Sequence, residues 1–153
     1  MIIGNISLKD YFLLELKNLI NTLFNRKYSE RIRNNCVEIR FSFQQLNSFL
    51  TNTFGKYAYG KFIPEWVKYL PNDLKTSLIL GYLNSDGSVT KNNTIEFVSI
   101  NLELLESIQD ILFSLGIISS LSKLRNASKH VINNKISNTK ETYHLRISYH
   151  NSI

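Results

Sequence analysis

Leu78-Ile79-Leu80-Gly81-Tyr82-Leu83-Asn84-Ser85-Asp86-Gly87 is an apolar helical run with a glycine at its centre and a carboxylate at its end. Glycine inside a helix costs about 1 kcal/mol relative to alanine. A helix that keeps one often needs close backbone approach to a neighbour. Ser85, one turn on, is also small and falls on the same face. Two such helices could pack very closely. Asp86 ends the helix, where the dipole disfavours a carboxylate and a cation would offset it. Two copies side by side would bring two Asp carboxylates together, and such a pair can hold divalent metals against a phosphate backbone. An ordinary helix followed by an Asp-Gly turn accounts for the same residues equally well.

The remaining sequence narrows the class. The 153 residues suit one domain with a real core, and 43% hydrophobic against 20% charged residues reads as globular. A single cysteine, Cys36, excludes an intramolecular disulfide framework and most Cys-rich zinc sites. There is no run of eighteen apolar residues and no signal-peptide pattern, so no membrane span and no secretion are expected. The expected location is the cytoplasm, or wherever an anionic target lies. The net charge of +6 favours nucleic acid as that target. Residues 1–76 carry eleven basic and six acidic side chains, residues 77–153 seven and six. Within the second half, Lys123, Arg125, Lys129, Lys135 and Lys140 come before any acid. That stretch is either a solvated hairpin or loop, or a flap that binds a nucleic-acid backbone.

Periodicity gives the elements. A helix is expected over 8–24, capped by Ser7 with Asp10 three residues on, and with Phe12, Leu16, Leu19, Ile20 and Leu23 as its core face. Val37, Ile39, Phe41 and Phe43 alternate with polar residues as a half-buried strand. A short helix holds Leu46, Phe49 and Leu50 and ends at Gly55, and another begins at Pro64 and stops at Pro71. Asn72 is the expected cap of the helix that ends at Asp86-Gly87. Strands over 88–91 and 94–100 flank a tight Asn92-Asn93 turn. Asn101 caps a helix with Leu105, Ile108, Ile111, Leu112 and Leu115 inward, closed by Gly116. Strands follow near 119–125 and 143–149. From Asn72 the order is helix, strand, strand, helix, strand, strand, an α+β arrangement. The preceding helix, strand and helix look like the tail of a similar unit.

Ile79-Leu80-Gly81-Tyr82-Leu83-Asn84-Ser85-Asp86-Gly87 resembles, without gaps, the LAGLIDADG motif of homing endonucleases. Upstream, Phe54-Gly55-Lys56 and Lys61-Phe62-Ile63-Pro64-Glu65-Trp66 resemble the Lys-x-Ile-Pro block of the dodecapeptide (DOD-type) members common within inteins. Downstream, Ser88-Val89, the strand 95–99, the helix ending in Leu115-Gly116-Ile117 and the strand 143–148 keep the family's order. The resemblance covers about residues 8 to 150 and implies a site-specific endonuclease on double-stranded DNA. It implies an αββαββ unit that lays a curved antiparallel sheet along the major groove, where base edges carry the full code. Asp86, with Gly87 beside it, then binds Mg²⁺ (or Mn²⁺), and Gly81 and Ser85 line the interface between two motif helices. Lys61 stabilises charge on the phosphate or orients the attacking water. Arg40, Lys91, Asn92, Lys123, Arg125 and Arg146, on or beside strands, are candidate DNA contacts.

The pattern departs from the family in two places. Asn84 replaces an earlier Asp of the motif, a position that is not the metal ligand. Only one motif helix is present, so residues 1–71 read as the back half of a first repeat, with the Lys-x-Ile-Pro block, and 72–153 as a second repeat lacking its last helix. The expectation is a piece of a two-motif or intein-encoded enzyme, completed by its missing half, or a homodimer that supplies a second Asp86. His150-Asn151-Ser152 fits the end of an intein, but no splicing block precedes it and the chain starts with Met, so self-splicing is not expected. The alternatives are a non-catalytic nucleic-acid binder on the same scaffold, such as a transcription regulator or RNA maturase, and a small α+β interaction domain.

Overall fold

The computed structural model describes residues 2–3, 11–33, 36–132 and 135–148. Ser7, Asp10 and the triplet His150-Asn151-Ser152 lie outside the described residues. By contact the chain divides into two units, Met1–Phe49 and Leu50–Ile153.

In the first unit, β1 (Ile2–Ile3), α1 (Tyr11–Phe24), β2 (Ser29–Arg33) and β3 (Cys36–Arg40) form a helix and an antiparallel sheet of order β1-β3-β2. Val37 and Ile39 point one way along β3 and bury against Leu13 and Ile20 of α1. The inward face of α1 differs from the expected one. Leu13, Leu16 and Ile20 meet the core, whereas Leu19 and Leu23 are exposed. Three narrow strands cover only one stripe of a helix, and residues 13, 16 and 20 fall on that stripe. The strand also stops at Arg40 rather than running to Phe43. Phe41 and Phe43 gather around Phe24 instead, with ring centroids at 6.0 and 5.6 Å. β2 was not expected, because Ile32 is its one apolar residue and is exposed.

The second unit takes in the end of α2 (Gln44–Phe54), β4 (Gly55–Lys56), α3 (Tyr57–Gly60), a 3₁₀ turn (Glu65–Tyr69) and α4 (Asn72–Asp86). Then come β5 (Gly87–Val89), β6 (Ile95–Ser99), α5 (Leu102–Ser114), β7 (Ser120–Arg125), β8 (Ser128–Ile132), β9 (Lys135–Thr139) and β10 (Thr142–Ile147). Its sheet is antiparallel in the order β5-β6-β10-β7, while β8 and β9 pair as a separate hairpin. The basic connection thus contains a two-stranded hairpin.

Phe97 and Leu145, opposite each other on β6 and β10, are fully buried with Leu105, Ile108, Ile111 and Leu112 of α5. Asn101 caps α5 as expected, its Oδ1 accepting from the Leu104 N–H at 3.0 Å. Gly116 closes it with φ +78°, a left-handed position suited to glycine. Lys75 is buried between α4 and the end of α5, and its Nζ donates to Ser114 Oγ at 3.0 Å. A cation is favourable there, at a helix C-terminus. Among the described residues no helix is long and apolar enough to cross a membrane.

Two local expectations are corrected. Asn72 is not a cap; it is the first residue of α4. Pro71 takes the cap position, and its carbonyl accepts from the Leu74 and Lys75 N–H groups. Asn92-Asn93 is not a two-residue hairpin. The strands stop at Val89 and resume at Ile95, and the turn is fixed by Thr90 N–H to Thr94 O and Asn93 N–H to Thr90 O. Asn93 takes the left-handed position, φ +55°, and Lys91 and Asn92 sit in the turn.

The join of α4 to β5 is tight. A Cβ on Gly87 would fall 2.6 Å from Leu83 Cδ1, 2.8 Å from Leu83 O and 2.9 Å from Leu83 Cα. Two of those atoms are backbone and cannot yield. Gly87→Ala is therefore expected to cost about 1–3 kcal/mol, read as a lower urea midpoint.

On the sheet face opposite the helices, Glu96 accepts from Arg146 Nε at 2.7 Å and lies 3.1 Å from His144 Nδ1. Arg146 first, and His144 after it, hold the Glu96 carboxyl below its ordinary value of 4.5. The unfolded chain binds the proton more tightly, so this stabilisation is present above that value and fades as pH falls through the lower folded value. Glu96→Gln should lower stability at pH 7, and the gap to wild type should close in acid.

Candidate active site

α4 delivers Asp86 to its last position, and β5 leaves at once through Gly87. Lys61 reaches the same point from far upstream. Its Nζ lies 3.9 Å from Asp86 Oδ2, and both side chains are half exposed. Asn101 positions the lysine's backbone: besides capping α5, its Nδ2 donates to the Lys61 carbonyl at 2.7 Å. One buried amide thus ties the start of α5 to the segment that carries the cation.

Two concavities open beside this pair, with Lys61, Tyr82, Asp86 and Leu104 common to both. One, of about 430 Å³, is largely apolar, with Phe54, Ile63 and Ile79 among its walls. The other, of about 350 Å³, runs between Ala58, Val98, Thr142 and Arg125. Arg125 thereby joins Lys61 and Asp86 around one cleft. Tyr82, one turn before Asp86, stacks on Phe97 at 5.4 Å. Burial first, and then the Asp86 charge, push its phenol up to about 12, so it stays neutral at physiological pH.

Ser85 is exposed and donates to the Tyr82 carbonyl at 3.1 Å, and a Cβ on Gly81 would meet nothing within 4 Å. No neighbour within the described residues explains that glycine. The face carrying Gly81 and Ser85 is open.

The other candidate residues are dispersed. Arg146 lies on the outer sheet face, bonded to Glu96. Lys123 lies one row from the sheet's end and pairs with Glu141 at 2.8 Å. Lys91 and Asn92 are exposed in the β5–β6 turn. Arg40 belongs to the first unit, where it is bonded to Glu38. The sequence reading missed a polar network on the outer face. Ser122 Oγ lies 2.5 Å from His144 Nε2, and His144 stands beside Glu96. The alternation along β6 and β10 is its signal, since Glu96 and His144 fall between the inward Ile95, Phe97, Leu145 and Ile147.

The donor set limits what this site can hold. Among the described residues no three His, Cys, Asp or Glu side chains cluster. Asp86 offers one accessible carboxylate, with the Gly87 main chain next to it. A hard divalent cation takes six or more oxygens, so Asp86 could supply part of such a shell, with phosphate and water oxygens supplying the rest. A carboxylate beside an ammonium, in a cleft that Arg125 also lines, suits a phosphodiester.

A family model described as a LAGLIDADG-like domain matches residues 73–153, more than half of the chain. No curated protein matches this sequence. Solved structures match it over nearly its whole length. Mesophilic variants of the homing endonuclease I-DmoI align at 19% identity with a TM-score of 0.63, covering 97% of this chain and 71% of that one. An I-DmoI variant in complex with its target DNA in the presence of Mg aligns at 18%, with a TM-score of 0.62 and the same coverage. I-DmoI in complex with DNA and Ca aligns at 18% and 0.64, covering 97% of this chain and 66% of that one. At such identities the likeness is one of fold. The chain belongs to the LAGLIDADG-like family and has the fold of a homing endonuclease.

Proposed function

We propose that this chain is a site-specific endonuclease that hydrolyses phosphodiester bonds of double-stranded DNA. The observation that carries the reading is the meeting of Asp86, Lys61 and Arg125 around one cleft at the end of the motif helix. Asp86, with the Gly87 main chain, is the candidate ligand for Mg²⁺ or Mn²⁺. A bound divalent ion would supply an activated water and charge stabilisation at the leaving oxygen. Lys61 holds the phosphate beside the carboxylate and steadies its developing negative charge. Arg125 grips the strand from the opposite wall. Arg146 faces the groove from the outer sheet face, and Arg40, Lys91, Asn92 and Lys123 supply further contacts.

Residues 1–71 are read as the back half of a first repeat and 72–153 as a second. Topology supports this. β1, α1, β2 and β3 follow the order of β6, α5, β7 and β10, and in each sheet the last strand lies in the middle. Asp86 is then the single motif carboxylate of this chain. Its counterpart comes from a second copy, packed on the open Gly81–Ser85 face, or from a complementary half.

The purified chain, alone and with any co-purifying partner, is incubated with Mg²⁺ or Mn²⁺ and DNA spanning its own gene's insertion site. Double-strand cuts are expected, abolished in Asp86→Asn while DNA affinity is kept. An assembly that binds this DNA and never cuts it would sink the enzyme reading and leave a regulator or maturase. Lys61→Met is expected to lower the cleavage rate by about 10²–10³-fold with little change in affinity.

Asn101 allows a sharper test, because its two bonds can be separated. Asn101→Ser keeps a cap acceptor but is too short to reach the Lys61 carbonyl. It should cost about 1 kcal/mol for the lost bond, keep the cap, and slow cleavage. Asn101→Ala should lose both. Equal activity in Asn101→Ser and wild type would show that the bond to Lys61 does not position the lysine.

A further inference from the structure

The loop that leads into Lys61 holds two tyrosine rings in the open. Gly55 pairs with Lys61 and Lys56 with Gly60, so the loop closes on itself within seven residues. Gly55 sits at φ +76°, and a Cβ there would fall 1.8 Å from the Gly60 carbonyl oxygen, so only glycine allows the closure. Inside the loop Tyr57 takes φ +61°, a left-handed conformation that bulky L-residues avoid. Burial does not account for it, since Tyr57 and Tyr59 are 67% and 64% exposed. Strain kept without packing in return is a mark of binding surfaces.

Each ring has its own cation. Lys56 Nζ lies 5.2 Å from the Tyr57 centroid, and Lys140 Nζ lies 3.9 Å from that of Tyr59. Ala58, between the two tyrosines, lines the cleft that also holds Lys61, Asp86 and Arg125. The loop is therefore an aromatic surface set among positive charges, beside the candidate active site. Those charges call for an anionic partner. Exposed ring faces call for a planar one. Paired bases in a duplex show their edges in the grooves and hide their faces. Unpaired bases offer a π-face and a phosphate together, the combination that stacking platforms take.

We propose that Tyr57 and Tyr59 form a stacking site for unpaired nucleobases next to the Lys61–Asp86 cleft, with Lys56 and Lys140 neutralising the flanking phosphates. The proposal rests on the nucleic-acid reading of this cleft and adds a single-stranded or locally opened substrate to it.

The test is binding without metal, in EDTA, so that cutting plays no part. A short single strand carrying 2-aminopurine, and the same sequence as a duplex, are titrated with wild type, Tyr57→Gly, Tyr59→Leu and the double variant. Tyr57→Gly removes the ring and also relieves the left-handed strain, so loss of folding cannot mimic the result. Wild type should quench the 2-aminopurine of the single strand. Each substitution should weaken single-strand binding on the order of tenfold, with quenching lost in the double variant and duplex affinity changed far less. Single-strand binding unchanged in the double variant, or single-strand and duplex affinity falling together, would overturn the proposal. Wild type that binds duplex and not single strand defeats the stacking site alone. Wild type that binds neither defeats the DNA reading as well.

Discussion

The second unit turns from helix to sheet within one residue, and that join governs what the rest can do. Gly87 lies so close to Leu83 that a methyl group would overlap its backbone. The strand therefore leaves α4 immediately, and Asp86 stays at the helix end instead of being carried into the sheet. A carboxylate at a helix C-terminus faces the negative end of the dipole. A cation offsets that, and Lys61 stands 3.9 Å away. The apolar face of α4 could tolerate many sequences; this corner cannot.

Lys61 reaches Asp86 through a chain of local devices. Gly55 ends α2 in the left-handed region and lets the loop fold back on Gly60. The Lys61 backbone is then held by the amide of Asn101, which also caps α5. α5 is the most deeply buried helix of the unit, with Leu105, Ile108, Ile111 and Leu112 at 0–1% exposure. The exposed site is thus mounted on the rigid part of the core by one side chain.

The helices were legible because their apolar spacing is strong and their ends are marked. Asn101 and Gly116 bracket α5, and Asp86-Gly87 marks the end of α4. What escaped lacks such marks. β2 has one apolar residue, and the Lys123–Lys140 stretch has too few to suggest a core face, so their pairing comes from backbone hydrogen bonds to a neighbouring strand. Leu19 and Leu23 of α1 misled for the opposite reason: apolar residues at helical spacing count as core only where a partner element is wide enough to cover them. Of the site, Asp86 stood out from its place at the helix end. Its partnership with Lys61 joins residues remote in sequence and was foreseen through family resemblance. The Glu96–His144–Ser122 network on the outer face was legible in principle from strand alternation, yet its members come from three strands whose order had to be known first.

The charges of the second unit fall into two kinds, and the difference bears on specificity. Arg146 and Lys123 are already bonded to Glu96 and Glu141. Lys91 and Arg125 have no carboxylate partner among the described residues. A free surface cation neutralises a phosphate without first giving up a bond, so such residues contribute salt-dependent affinity of any sequence. A cation held by a carboxylate gains less from a phosphate, because it must exchange one partner for another. It has a fixed direction in return. Arg146 is held by Glu96 on the outer sheet face; on the proposed function, a guanidinium fixed in this way suits contact with a base edge better than a mobile one does. On the proposed function, the free cations at the turn and the cleft are suited to the backbone, and the paired arginine on the sheet to a contact of fixed direction. The division follows from which acids the strand register places opposite which bases: Glu96 faces Arg146 across β6 and β10 because Phe97 and Leu145 must face each other on the side of the core.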